Sequence, residues 1–178
     1  MTPQDYRTAA LKELTDETGV YALCDLDGVP IYIGQSVDGI RTRVRRHLTS
    51  ARSDIIANRQ IDVWEIAFVW AWPVSDVDLI PALEGHLFAT YDAQKPLMNG
   101  KTLNAAEVPK LPEKTVVQVV EEEERIRRLD PSVRLPRQIS QYLRLVDYIL
   151  TVKDAPHLKR SLSAHIARLT DYHDKFLN

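Results

Sequence analysis

The sequence predicts an α+β fold: a small central sheet of three antiparallel strands flanked by helices, followed by a C-terminal helical hairpin. Three observations lead there. Two apolar, tyrosine-bearing runs, around Gly19-Val20-Tyr21 and Tyr32-Ile33-Gly34, flank the turn Asp25-Leu26-Asp27-Gly28, and an Asp-Gly pair between such runs is a hairpin signal. A third run, Val63 to Trp70, is rich in β-formers. From Gln138 onward, apolar residues recur at helical spacing.

The elements follow in order. Residues from about Pro3 to Leu14 read as an opening helix, with Thr2 as cap and Pro3 at its first position. Val20 to Leu26 and Val29 to Gly34 are the paired strands. Asp38 to about Ala51 is a helix with Ile40, Val44 and His47 or Leu48 along one face, which leaves its arginines mostly exposed. Val63 to Trp70 is the third strand. Ser75 or Asp76 caps a helix from Val77 to Tyr91. The Pro-rich stretch Val108 to Lys114 reads as a linker. Glu121 to Arg128 is a solvated helix supported by Glu-to-Arg pairs four residues apart. The last two helices are separated at Asp154-Ala155-Pro156. This divides the chain into residues 1–104, with a core at about 19–101, and a linker plus helical extension at 105–178.

The 178 residues are 44% hydrophobic and 27% charged, ordinary for a globular protein. The formal net charge of -2 does not announce a polyanion binder, but the distribution does. Between Asp38 and Gln60 stand six arginines (Arg41, Arg43, Arg45, Arg46, Arg52, Arg59) against Asp38 and Asp54. The offsetting acid lies in Glu121 to Glu124. Cys24 is the only cysteine, which excludes an intramolecular disulfide and a cysteine-based zinc site and favours a reducing, cytoplasmic setting. No apolar run approaches the roughly eighteen residues of a membrane span, and the N-terminus lacks the features of a signal peptide.

The tyrosine pair, eleven residues apart, the arginine-rich segment behind it and a histidine close by suggest a site for a phosphodiester. On these residues, positions 19 to about 101 resemble a GIY-YIG nuclease domain. Gly19-Val20-Tyr21 and Tyr32-Ile33-Gly34 match its two signatures. Arg43 and His47, four apart, fit its helical arginine and the residue one turn later. Glu84, in Ala82-Leu83-Glu84-Gly85, and Asn99, in Pro96-Leu97-Met98-Asn99, fit its later glutamate and asparagine. The stretch from Gly34 to Arg43 is one residue longer than the commonest spacing, with Gly39 as the extra residue. Arg43 is preferred to Arg41 because it keeps the four-residue step to His47.

The resemblance implies a metal-dependent endonuclease that hydrolyses DNA, with Tyr21, Tyr32, Arg43, His47, Glu84 and Asn99 as the catalytic set. Glu84 is then the oxygen ligand of Mg²⁺, with Mn²⁺ as substitute. Arg43 holds a phosphate oxygen. One of the two tyrosines serves as base with His47 as proton relay, and Asn99 orients the site. Arg41, Arg45, Arg46 and Arg52 are expected to bind nucleic acid. A restriction or defence role is the specific expectation, with a homodimer through the C-terminal helices. The alternative is a DNA-binding or protein-interaction module that has lost cleavage. His86 is expected to point away from Glu84, and His157, His165 and His173 to be structural or exposed. Trp64, Trp70, Trp72 and Cys24 are expected in the core, with exposure at the strand end beside Pro73 as the alternative for Trp72.

Overall fold

The computed structural model describes residues 1–50 and 53–178. Its strands are β1 (Gly19–Cys24), β2 (Pro30–Ser36), β3 (Phe68–Pro73) and β4 (Thr115–Gln118). Its helices are α1 (Pro3–Ala10), α2 (Ile40–Thr49), the single turn α3 (Asp54–Ala57), α4 (Ile80–Asp92), α5 (Glu122–Leu129), α6 (Pro131–Thr151) and α7 (Pro156–Leu177). The fold is α+β, as expected, with one strand more than expected. The sheet runs β2-β1-β3-β4, antiparallel throughout.

The hairpin forms where the sequence signals it. Asp25 accepts from the backbone amides of Asp27 and Val29, and Gly28 takes the left-handed conformation that closes the turn. Thr2 and Asp5 complete a reciprocal capping box at the start of α1, with Pro3 in its first turn. Gly39 sits just before α2 at φ +107°, and its carbonyl accepts from Ser36 Oγ. The extra residue in the spacing is thus a glycine at a backbone position that disfavours a side chain.

Alternation along the strands divides the sheet into two faces. One carries Tyr21, Leu23, Tyr32, Val69 and Ala71 and packs with residues of α1, α2 and α7 such as Ala10, Ile40, Val44 and Ala164. The other carries Val20, Ala22, Cys24, Ile33 and Trp72 and is covered by Ile80, Leu83, Leu87 and Phe88 of α4. Trp72 and Cys24 are in the core as expected, whereas Trp64 and Trp70 are only half-buried.

Several boundaries differ from expectation for identifiable reasons. The third strand begins at Phe68 rather than Val63. Val63–Glu65 instead form a single 3-10 turn capped by Asp62, because Glu65 turns inward to meet Arg134. β4 lies in the stretch read as linker and tail and pairs only with β3. α4 is preceded by its own 3-10 turn, Val77–Leu79, capped by Asp76. α6 starts at Pro131 rather than Gln138, because Asp130 caps it and Pro131 is free to occupy its first turn; Pro136 lies inside it. α5 is not wholly solvated, since Arg128 is buried and donates to the carbonyl of Trp64.

The C-terminal helices are tied to the sheet by buried charge. Arg134 of α6, 2% exposed, pairs with Glu65, with Asp27 at 2.6 Å and with Asp25 at 3.8 Å. Gln138 donates to the other Glu65 oxygen at 2.9 Å. Arg168 of α7 donates to the carbonyls of Pro30 and Pro96 and lies 3.6 Å from Asp25. Burial pushes the Glu65 carboxyl up to about 7, against the pull of Arg134. Among the described residues, no helix is long and apolar enough to cross a membrane.

Candidate active site

The two tyrosines share one face of the hairpin because of its register. Tyr21 stands opposite Gly34 and Tyr32 opposite Leu23, so Tyr32 is the diagonal neighbour of Tyr21. Their ring centroids are 6.4 Å apart. α2 lies across this face and delivers His47, whose ring centroid is 5.9 Å from that of Tyr21 and 6.0 Å from that of Tyr32. The Tyr21 hydroxyl is 2.7 Å from His47 Nε2, and Ser53 Oγ is 2.6 Å from His47 Nδ1. Tyr21, His47 and Ser53 therefore form one continuous hydrogen-bonded chain. Ser53 was not anticipated; it sits at the cap of a four-residue helix, and only its contact with His47 reveals it.

The electrostatics of this chain are set by burial. His47 is 3% exposed, and its imidazole is lowered to about 4 by burial, then by Arg43 and Arg46, with Asp54 opposing. It is neutral at physiological pH. One ring nitrogen then donates and the other accepts, so a proton can pass along the chain only with the tautomer that Ser53 helps to fix. Tyr21, 1% exposed, has its phenol raised by burial and by Tyr32, with the Arg43 cation pulling the other way. Tyr32 is raised by burial, lowered by Arg43 and raised again by Glu84 and Asp54. Arg43 thus acts on both phenols and on the imidazole. Its Nε is buried without a hydrogen-bond partner, an unusual state for a guanidinium donor.

Glu84 arrives from the other side of the sheet. It is carried by α4, yet it lines one cleft with Tyr32, because β2 is an edge strand and the cleft wraps around that edge. The cleft, about 610 Å³, is also lined by Gln35, Asn99, Lys101 and His157. The Glu84 carboxyl is raised by burial and lowered by Lys101. Among the described residues, no hydrogen bond or ion pair engages it. A half-buried carboxylate without a protein partner, facing an open cleft, fits a hard divalent cation that keeps most of its waters. Asn99 is buried and clips β2 at both ends of one residue: its Oδ1 accepts from the Ile33 amide at 3.0 Å, and its Nδ2 donates to the Ile33 carbonyl at 2.7 Å.

The arginine row does not act as one patch. Arg43 turns toward the tyrosines and Arg46 lies close enough to depress His47. Arg41 is half-buried, and its Nε donates to the carbonyl of Leu14 at 2.6 Å, which anchors the segment after α1. Arg45 is exposed and, with Arg41, faces Thr8 and Lys12 of the neighbouring segment. Arg52 and the end of the expected helix at Ala51 lie outside the described residues. His86 turns away from Glu84, with Nδ1 3.1 Å from the Ala106 carbonyl. His165 is buried and His173 exposed, in line with expectation, but His157 enters the cleft.

A hairpin carrying two tyrosines, a helix carrying arginine and histidine, and a glutamate and asparagine converging on the edge strand are the frame of a phosphodiester-cleaving domain. Residues 17–96 match the family model of the GIY-YIG catalytic domain, which supports a relationship of this part of the chain to the GIY-YIG nucleases. The match indicates a nuclease-type function, with DNA as substrate. No curated protein and no solved structure matches the chain.

Proposed function

We propose that the chain is a Mg²⁺-dependent DNA endonuclease, with Mn²⁺ as substitute, whose cutting site is the cleft at the β2 edge. The observation that carries this reading is the partnerless Glu84 carboxylate, which shares that cleft with Tyr32 in front of the Tyr21–His47–Ser53 chain. A Mg²⁺ ion held by Glu84 would supply positive charge for the phosphate oxygens and a coordinated water.

The protein's own groups divide the remaining work. Tyr32 is the base that faces substrate, since it lines the cleft while the Tyr21 hydroxyl is buried and committed to His47. Tyr21 and His47 form a hydrogen-bonded pair beside it, in which Ser53 holds the imidazole. Arg43, half-buried beside the tyrosines, supplies the guanidinium charge for a phosphate oxygen. Asn99 positions β2 without reacting. Arg45 and Arg46, exposed on α2, add phosphate contacts away from the reacting centre. Residues 1–104 carry the chemistry, and 105–178 brace it. A homodimer would form through the exposed apolar stripe Ile139, Leu143 and Leu150 on α6.

Supercoiled plasmid with Mg²⁺ tests this reading. Wild type should nick or linearise it, while Glu84→Ala and wild type with a chelator should not; equal cutting by Glu84→Ala overturns the assignment. Sequencing the ends decides the restriction role. Recurrent ends at one motif support it, and scattered ends refute it. Light scattering on and off DNA decides the dimer.

A further inference from the structure

Among the described residues that line the cleft, His157 alone comes from the C-terminal helices. His157 stands in the first turn of α7, sixty-one positions beyond the last matched residue, and lines the cleft with Tyr32, Glu84, Asn99 and Lys101. We propose that His157 is a substrate contact that, with Lys101, holds a phosphate of the DNA strand next to the one that is cut. The inference rests on the nuclease reading above and names how that site engages its substrate.

The position of His157 is fixed by its neighbours. One turn later, Ser161 Oγ lies 2.8 Å from the carbonyl of Met98 and accepts from Gln60 at 3.0 Å. Arg160 donates to the carbonyls of Leu97 at 2.8 Å and Asn99 at 3.1 Å, and pairs with Asp92 at 3.0 Å. The helix that carries His157 is therefore bolted to the loop that carries Asn99. A Cβ at Gly100 would lie 2.9 Å from His157 Cβ, so the histidine packs directly on that loop. A side chain this well placed is pre-organised for contact.

Its imidazole has nothing else to do. It is half-buried, and among the described residues neither ring nitrogen has a hydrogen-bond partner. An imidazole offers an N–H donor in either protonation state, which suits a phosphate oxygen. Among the described residues lining the cleft, Glu84 is the one carboxylate, so the wall formed by His157 and Lys101 repels no phosphate. Arg43 is not part of that wall; it lies with the tyrosines, where the scissile group would sit. A cleft of about 610 Å³ has room for more than one phosphate group.

The test uses a duplex containing a mapped cut site, with a single neutral methylphosphonate placed at each flanking position in turn. In the non-cutting Glu84→Ala protein, adding His157→Ala should weaken binding about fivefold or more, and His157→Lys should restore it. One flanking methylphosphonate should weaken Glu84→Ala by a similar factor or more yet cost Glu84→Ala/His157→Ala clearly less, since only Lys101 still contacts that position; such non-additivity is expected of direct partners. In the cutting protein, His157→Ala should raise KM and leave kcat within about twofold. Unchanged affinity, additive losses at every position, or a fall in kcat at constant KM would each overturn the proposal. If His157→Ala fails to fold, His157→Leu, which fills the space without a donor, carries the same comparison against His157→Lys. A protein that cuts normally without His157 sinks this inference alone, while one that cuts no DNA sinks the nuclease reading first.

Discussion

The Tyr21 ring lies directly over Gly34, its partner across the β1–β2 ladder: a Cβ on residue 34 would fall 2.5 Å from the Tyr21 hydroxyl oxygen and 2.8 Å from Tyr32 Cε1. The glycine of the second signature is thus the space in which the tyrosine of the first one lies. Gly34→Ala should push both phenols aside. We expect a destabilisation of about 1–3 kcal/mol and a loss of cleavage of about a hundredfold or more, because a shift of 1 Å at a reacting centre costs that much. Urea denaturation and single-turnover cleavage measure the two effects separately; near-normal cleavage would show that the ring position does not matter.

Ser53 is predicted to act through His47. Ser53→Ala removes the Nδ1 partner and lets the ring change tautomer or rotate away from Tyr21. Cleavage should drop by about tenfold or more in kcat, with KM unchanged, while Ser53→Thr keeps the hydroxyl and most of the rate. Equal loss in both variants would assign Ser53 to packing alone.

Stability should fall as the pH drops below neutrality. His47 and His165 are both lowered to about 4, chiefly by burial, from an ordinary value of 6.5. Between those values the unfolded chain takes up two protons that the folded one refuses, so the stabilisation is full above about 6.5 and is lost on the way down to about 4. Glu65, raised to about 7, and Asp25, raised by burial, act in the opposite sense: they keep protons in the fold that the unfolded chain has lost. The two histidines outweigh Glu65, and Asp25 narrows the difference. Unfolding free energy should decline by about 1 kcal/mol from pH 7 to pH 5, and His165→Gln should remove the decline. A rise toward acid in wild type would contradict these assignments.

Removing the cation of the buried network should cost more than replacing it by bulk. Arg134→Ala leaves Glu65, Asp27 and Asp25 without their shared partner, at a cost of about 3–5 kcal/mol. Arg134→Met/Glu65→Met, which removes the pair together, should recover part of that loss. Thermal melts of the single and double variants decide it.

Much of this arrangement was legible in the sequence because its signals are local. The Asp27-Gly28 turn, the four-residue step from Arg43 to His47 and the helix cap at Thr2 each depend on a few neighbouring residues, and each stands where it was read. Glu84 and Asn99 were found only through family resemblance, since nothing local marks them. What escaped depended on distant partners. Glu65 reads as a strand residue until Arg134, 69 positions away, draws it inward. β4 follows a Pro-rich stretch and exists because β3 offers it an edge. Ser53 and His157 acquire meaning only from what the fold places beside them, and Arg41 loses its expected freedom to the Leu14 carbonyl for the same reason.

The clip between Asn99 and Ile33 bears on the protein's behaviour in concentrated solution. β2 is the border of the sheet, and a bare border strand invites a second molecule to add itself and start an aggregate. Here the Met98 amide occupies the Ile31 carbonyl at 2.7 Å, and the Asn99 amide group occupies both backbone groups of Ile33. The segment that shapes the reaction cleft therefore also seals the sheet, and variants that loosen it should first betray themselves as turbidity during purification.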